Sequence, residues 1–335
     1  MDFKKFKINI ISSFPLFAQE PSDCLFSSQI VLVKKTRKIY KSKIITRDME
    51  SSPHKFPYEG SEQLLVKSDA TTDPEYGREP SKRDIPALLE YGVINLDKPS
   101  GPTSHEVVSW VRKILKIEKS GHGGTLDPHV TGVLPCALGK ATRVLSALLT
   151  AGKEYVGVMV LHDAISQKEV DHVFKLFQGK LYQRPPMRSS VARRLRVREI
   201  YYDEVMEMNE RKQVLFRLGC EAGTYVRKFC FDIGEALCSG AHMVELRRTR
   251  VGEFREDHML ITLQDLKDAF TLYHQEGEDK YLKAFLQPME RMVDHLPKIH
   301  VRDTAVDALC HGADLAAAGV CNVDARIEPD RKSVV

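Results

Sequence analysis

The sequence predicts an α+β protein, a mixture of helix and strand around one unusual loop. Three observations carry this. Val107, Trp110, Val111, Ile114 and Leu115 recur at helical spacing, and Val226, Phe229, Cys230, Ile233 and Leu237 do so again. Between and beside them lie short β-branched runs, above all Lys153 to Leu161 (KEYVGVMVL) and Val214 to Cys220. Between the first helix and these strands sits Gly121 to Pro128, GHGGTLDP, with three glycines, one histidine and one carboxylate in eight residues.

Taken in order, residues 1–55 stand apart. Lys4, Lys5 and Lys7 precede a short apolar run, Ile8 to Ala18, broken by Ser12, Ser13 and Pro15. The pattern faintly resembles a signal peptide, but a disordered extension or an early start codon suits the rest of the chain better. Residues 56–90 are polar, with turn signals at Thr72-Asp73-Pro74 and Glu79-Pro80-Ser81, and read as an arm lying on a folded body. Regular structure is expected to begin with a strand over Tyr91 to Asp97. Lys98-Pro99-Ser100-Gly101-Pro102 is a rigid turn. Thr103 and Glu106 have capping-box spacing and open the helix that leads to the glycine loop. Trp110, the only tryptophan, falls on its apolar stripe and is expected in the core. Ala141 to Leu149 reads as a second helix. Val170, Val173, Phe174 and Phe177 mark another, with Gly179 as its C-cap. Pro185-Pro186 exclude a central strand in the basic stretch that follows. Gly223-Thr224 are expected to turn and cap the helix from Val226. Two further helical stretches run to about Met292, and residues 296–335 look like a separate unit too small for its own core.

The chain has 335 residues, 42% of them hydrophobic, and a net charge of +4, so it is globular and its total charge alone names no partner. The distribution says more. Six arginines and no acid lie between Arg184 and Arg198, and Arg247, Arg248 and Arg250 cluster further on, the footprint of a phosphate backbone or a solvated basic face. Seven cysteines without a C-x-x-C pair argue against a disulfide framework or zinc ribbon and fit a reducing compartment. No apolar run reaches the length of a membrane span.

Three chemistries compete for the glycine loop. A phosphate cradle fails on detail: no P-loop signature is present, and Leu126 stands where a third glycine would be needed. A metal site could use His122, Asp127 and His129, but the ligand spacing matches no known pattern. The third reading is a lone carboxylate, Asp127, held on a pre-organised loop. Pro128 pushes Asp127 toward extended backbone. A mere glycine turn with a capping aspartate is the bland alternative.

The blocks around the loop decide between them. LDKPSGPTSHEVV precedes it. KEYVG, YQRPPMRSSVARRLRVR, GTYVRK and HMVELRRTRVGEF follow in that order. Together they resemble the RNA pseudouridine synthases of the tRNA pseudouridine synthase B family. Within it the chain is most similar to the archaeal and eukaryotic H/ACA (dyskerin-type) branch, over about residues 61–325, and leans toward archaeal members. The resemblance implies a catalytic domain over 91–295 built on a mixed, mostly antiparallel sheet with the cleft across its middle. It also implies a PUA-like β unit at 296–335 whose second half is missing.

By the same resemblance Asp127 is the catalytic carboxylate, acting as nucleophile or as base at C2′. Tyr155 stacks on the flipped base, and Arg227 pairs with the aspartate. Val226 and Leu246 line the base pocket, while Lys98 and His122 lie near the cleft as further substrate-binding residues. Arg184, Arg188, Arg193, Arg194, Arg247 and Arg248 would meet RNA backbone, some of them pairing with acids of the body instead. No cofactor and no metal is implied. Implied partners are an H/ACA guide RNA, ribosomal or transfer RNA as substrate, a kink-turn binder, a short buttressing protein and a glycine/arginine-type subunit. The location would be cytoplasmic in an archaeon and nucleolar in a eukaryote. A non-catalytic RNA scaffold and a metal-dependent hydrolase are the other classes.

Overall fold

The computed structural model describes residues 54–59, 63–69, 72–73, 79–185, 192–210 and 212–328. An eleven-stranded mixed sheet dominates it. In chain order its strands are β2 (Gly92–Lys98), β3 (Ser120–His122), β4 (Thr131–Leu138), β5 (Lys153–Leu161), β6 (Gly179–Gln183), β7 (Arg196–Met208), β8 (Gln213–Cys220), β9 (Ala241–Val251), β10 (Phe254–Arg255), β11 (Leu260–Ile261) and β12 (Gln287–Pro288). Spatially the main path runs β11-β2-β4-β9-β5-β8-β7-β6, with β3, β10 and β12 as short additions. Pairing is antiparallel except for β11 with β2 and β4 with β9. A second sheet of three strands joins β1 (Leu64–Val66) to β14 (Val320–Asp324) and β13 (Ile299–Val301).

The large sheet packs against three main hydrophobic clusters. On one side of the molecule β2 and β4 place Ile94, Leu96, Leu134, Cys136 and Leu138 against helix α2 (Ser104–Leu115), α6 (Leu263–Glu276) and α7 (Lys280–Phe285). Their other faces, Val93, Val133 and Ala137, pack on the 139–149 helical segment and on Met292 and Val293. These two strands are therefore buried on both faces. On the other side β5, β7 and β8 cover α4 (Gln167–Leu176) and α5 (Val226–Ala236) through Met159, Ile200, Phe216, Phe174 and Phe229. Only two residue pairs, Thr131 with Arg247 and Gly132 with Arg248, join β4 to β9. That short seam is where the two halves meet and where the glycine loop emerges.

Several expectations are met. Thr103 and Glu106 form a reciprocal capping box, and the strands over 92–98, 153–161 and 213–220 are present. Others need correction. Regular structure starts earlier, with α1 (Ile85–Tyr91), whose Ile85 and Leu88 are core residues. Tyr91 ends that helix rather than starting a strand. Trp110 is 40% exposed. It lies about 60° around the helix from Val107, away from Val108, so the buried stripe passes it by. The second helix begins as a 3-10 turn at Gly139–Val144 before α3 (Leu145–Leu149). Gly179 opens β6 rather than capping α4, whose C-cap is Phe177. Tyr225, not Thr224, is the N-cap of α5. The arm does more than lie on the body, since β1 completes the three-stranded sheet.

Candidate active site

The glycine loop is the excursion between β3 and β4, which pair from Ser120–Leu138 to His122–Cys136. Its path is fixed from below. The Gly123 amide donates to Pro135 O at 2.9 Å. The Leu126 amide donates to Ser104 Oγ at 2.9 Å, and that hydroxyl returns a bond to Leu126 O. Leu126 and Val130 are buried and act as apolar pins on either side of Asp127. Gly132 ends the loop at φ +104°, where an added Cβ would stand 2.2 Å from Arg248 O. No side chain fits there.

Two buried cations, Lys98 and Arg248, hold the loop by its carbonyls, and a third, Lys153, stands beside Gly124. Lys98, with no exposed surface, donates to Pro99 O, Pro128 O and Val130 O, each at 2.9 Å. Arg248 donates to Val133 O at 2.8 Å and Gly124 O at 3.0 Å. Lys153 donates to Leu149 O at 2.8 Å and Ala151 O at 2.7 Å at the end of α3. Burial, with Arg248 adding to it, pulls the Lys153 ammonium down to about 7. Burial also lowers Lys98 and Arg248. Buried charges of one sign need such acceptors, and the arrangement gives the floor of the site a positive field.

Above this floor Asp127 meets Arg227. The guanidinium of Arg227, in the first turn of α5, ion-pairs with Asp127 Oδ2, and the two side chains are 55% and 49% exposed for Asp127 and Arg227 respectively. The pair is therefore formed yet open to an incoming group. Tyr155 stands half-buried on β5, within the electrostatic reach of Arg248. Burial raises its phenol, and Arg248 works against that shift. Leu246 faces Gly157 from the neighbouring strand, and Val226 is buried beside Arg227. His122 is held down to about 4 by burial, with His105 and Arg248 adding to it. The neutral ring accepts from the Gly124 amide at 3.3 Å and meets His105 edge-on at 5.1 Å.

The structure thus pairs Asp127 with Arg227, sets Tyr155 and His122 near Arg248, and packs Val226, Leu246 and Tyr155 in one hydrophobic cluster. It corrects two placements. Arg248 is 1% exposed and cannot meet a phosphate, because its guanidinium is spent inside the loop. Lys98 is likewise enclosed and supports the loop from beneath rather than facing a ligand. Arg247 is taken up by Asp97 at 2.9 and 3.0 Å and by Glu256, one of the body pairs allowed for in the basic cluster. Arg184, Arg193 and Arg194 are exposed on the β6–β7 connection, and Arg188 lies outside the described residues. The metal alternative loses its geometry. His122 serves the Gly124 amide and Asp127 serves Arg227, and among the described residues no three potential ligands converge. Sequence reasoning missed Lys153 and Ser104. The only signal for Lys153 was a lysine opening an otherwise apolar strand.

Comparison with known proteins settles the family. Residues 112–226 match the N-terminal domain of TruB family pseudouridylate synthases, and 227–294 match the tRNA pseudouridylate synthase B C-terminal domain. Residues 53–108 match the DKCLD (NUC011) domain and 297–334 the PUA domain. The probable tRNA pseudouridine synthase B of Methanopyrus kandleri is 53% identical over 275 residues, covering 82% of this chain and 81% of that protein. This chain belongs to the TruB family of pseudouridine synthases. The Pyrococcus furiosus relative is 54% identical, covering 81% and 80%. Among solved structures, a Cbf5–Nop10–Gar1 complex gives a TM-score of 0.79 at 53% identity over 83% of this chain and 84% of the other. An H/ACA ribonucleoprotein bound to a substrate RNA containing 2′-deoxyuridine gives 0.76 at 51% over 82% and 83%. The chain is accordingly an RNA pseudouridine synthase, an isomerase acting on RNA uridines. Among the described residues no helix is long and apolar enough to cross a membrane.

Proposed function

We propose that Asp127 is the carboxylate that acts on the ribose of the target uridine. The observation that carries this is the open ion pair of Asp127 with Arg227 above a floor of buried cations. Isomerisation breaks the N1–C1′ bond, turns the uracil in place and joins C5 to C1′. Attack on C1′ and proton removal at C2′ both start from an ionised carboxylate, and a neighbouring guanidinium favours that form. Tyr155 supplies a flat face for the extruded base, Leu246 and Val226 its apolar walls, and His122 stays neutral to hold the loop. Arg184, Arg193 and Arg194 carry the electrostatic affinity for the strand, as does Arg188 by its place in the sequence. Asp127→Asn is expected to leave no detectable pseudouridine, while RNA affinity changes less than about threefold, since phosphate contacts dominate it. Pseudouridine mapping by mass spectrometry and a filter-binding titration check the two halves. An active Asn variant would remove Asp127 from the chemistry.

We further propose that the chain works on ribosomal RNA inside an H/ACA guide ribonucleoprotein, and on the T-loop uridine of tRNA without a guide. Its partners would be a guide RNA, a kink-turn binder, and proteins of the Nop10 and Gar1 kind that accompany the similar structures. Residues 91–295 would form the catalytic domain, 296–335 the PUA unit and 56–90 the arm. Archaeal relatives support a cytoplasmic location. Mapping the pseudouridines formed with and without guide RNA separates the two substrates.

A further inference from the structure

Helix α5 leaves one large apolar side chain in solvent beside the site. Phe231 is 48% exposed, although the same helix buries Val226, Phe229, Cys230 and Ile233. It stands four residues after Arg227, so the two share a helix face one turn apart. Helical side chains lean toward the N-terminus, which carries the Phe231 ring toward the turn holding Arg227 and hence toward the cleft. The ring is also not free to wander. Lys228 Nζ lies over it at 4.7 Å from the centroid and is itself tied to Asp232 by an ion pair. A cation therefore braces the ring while leaving half of its surface to solvent.

The chemistry at Asp127 creates a need at this place. A uridine must leave its stack before its C1′ can approach a carboxylate, and its neighbours lose a stacking partner when it does. An exposed aromatic braced in this way is suited to a displaced nucleotide, since the ring takes a base of any identity. We propose that Phe231 is a stacking platform for the nucleobase next to the target uridine, a positioning residue that holds the strand as the target enters the cleft. The proposal rests on Asp127 being the reacting carboxylate.

The test uses a short RNA spanning a uridine that mapping has shown the chain to convert, with 2-aminopurine at either neighbouring position. Bound to the Asp127→Asn protein, one of the two labels is expected to lose fluorescence through stacking. In Asp127→Asn/Phe231→Ala that quench should disappear and the RNA should bind about tenfold more weakly. In the otherwise unaltered protein, Phe231→Ala should raise KM about tenfold and leave kcat within about twofold. Phe231→Tyr and Phe231→Trp should restore both, whereas Phe231→Leu, which keeps apolar bulk without a π face, should not. Equal melting temperatures would show that folding is untouched. Unchanged KM and quench in Phe231→Ala overturn the platform while leaving Asp127 in place. A Phe231→Leu that behaves like the parent assigns the residue to packing and overturns it too. Activity in Asp127→Asn would instead strike the underlying reading.

Discussion

At the scale of single residues, two side chains carry predictions that separate charge from shape. Arg227 presents a planar fork to Asp127 from a helix whose first turn is held by the buried Val226. Lysine would keep the charge but lose the fork. Arg227→Lys is expected to retain measurable turnover and Arg227→Ala to lose about 10²–10³ in kcat, read in single-turnover assays at saturating RNA. Equal losses in both variants would show that the geometry, not the charge, is what matters. Asp203 tests burial instead. It is 8% exposed on β7, accepts from Gln178 at 3.0 Å through Oδ1, and its Oδ2 has no hydrogen-bond partner. Burial pushes its carboxyl up to about 6, with Gln178 opposing. The folded state thus holds this proton to higher pH than the unfolded chain does. The group is harmless below about pH 4 and costs stability as pH rises through 6. Asp203→Asn should therefore raise the stability at pH 8 by about 1–2 kcal/mol. The gain should fade on acidification and vanish near pH 4 in a series of thermal melts.

At the scale of elements, the seam between β4 and β9 is the weak joint that makes a site possible. It is only two pairs long, and Gly132 sits in it with Arg248 O where a side chain would go. Gly132→Ala should cost about 2 kcal/mol or more and lower kcat as well, because the displaced carbonyl belongs to the residue that grips Gly124. Thermal melts and turnover measured on the same preparation check both. If stability falls but kcat holds, the seam and the loop are uncoupled. Legibility differed among these elements for physical reasons. Helices α2 and α5 and strands β5 and β8 announce themselves because each buries one face or one short run, so burial leaves a period in the sequence. Strand β4 does not. Buried on both faces, it lacks alternation, and Pro135 sits inside it, which by itself argues against a central strand. Strands β7 and β9 are hidden by charge: EIYYDEVMEM and ELRRTRV look solvated, yet Asp203, Arg248 and Arg250 are buried. The pairing of Asp127 with Arg227 was legible from the motifs that carry the two residues. The supports Lys153 and Ser104 were not, since nothing in a lysine or serine says that it will be buried and turned onto the carbonyls of Leu149 and Ala151 or onto that of Leu126.

At the scale of the whole molecule, the segment before the first helix ties the two sheets together. Phe56 is 1% exposed. The Arg250 guanidinium lies 4.3 Å from its ring centroid, and Tyr201 and Tyr202 flank it at 5.7 and 6.0 Å. Three residues on, Glu59 pairs with Arg250 and Arg255, while Tyr58 O accepts from Arg326 of the C-terminal unit. The same chain then adds β1 to β14, with Leu64 opposite Asp324 and Val66 opposite Asn322. A short segment therefore anchors in the catalytic sheet at one end and supplies an edge strand to the C-terminal sheet at the other. The anchor is the better point to probe, because the Phe56 ring packs on Tyr201, Tyr202 and Arg250 of the catalytic sheet. Phe56→Ala should cost about 3–5 kcal/mol if the loss is confined to its own pocket and the global transition stays cooperative. Its effect should also travel. With Phe56 gone, the β1 strand keeps its own pairing and the ion pairs of Glu59 but loses the buried ring that seats the segment in the catalytic sheet, and a two- or three-stranded sheet of this size has little stability of its own. Amide hydrogen exchange in β14 and β13 should therefore quicken in Phe56→Ala together with exchange in β1, ahead of any change in α2 or β2. If β14 keeps its protection while only the residues around Arg250 and Tyr202 lose theirs, the C-terminal sheet stands without the arm and the two ends of the chain are independent.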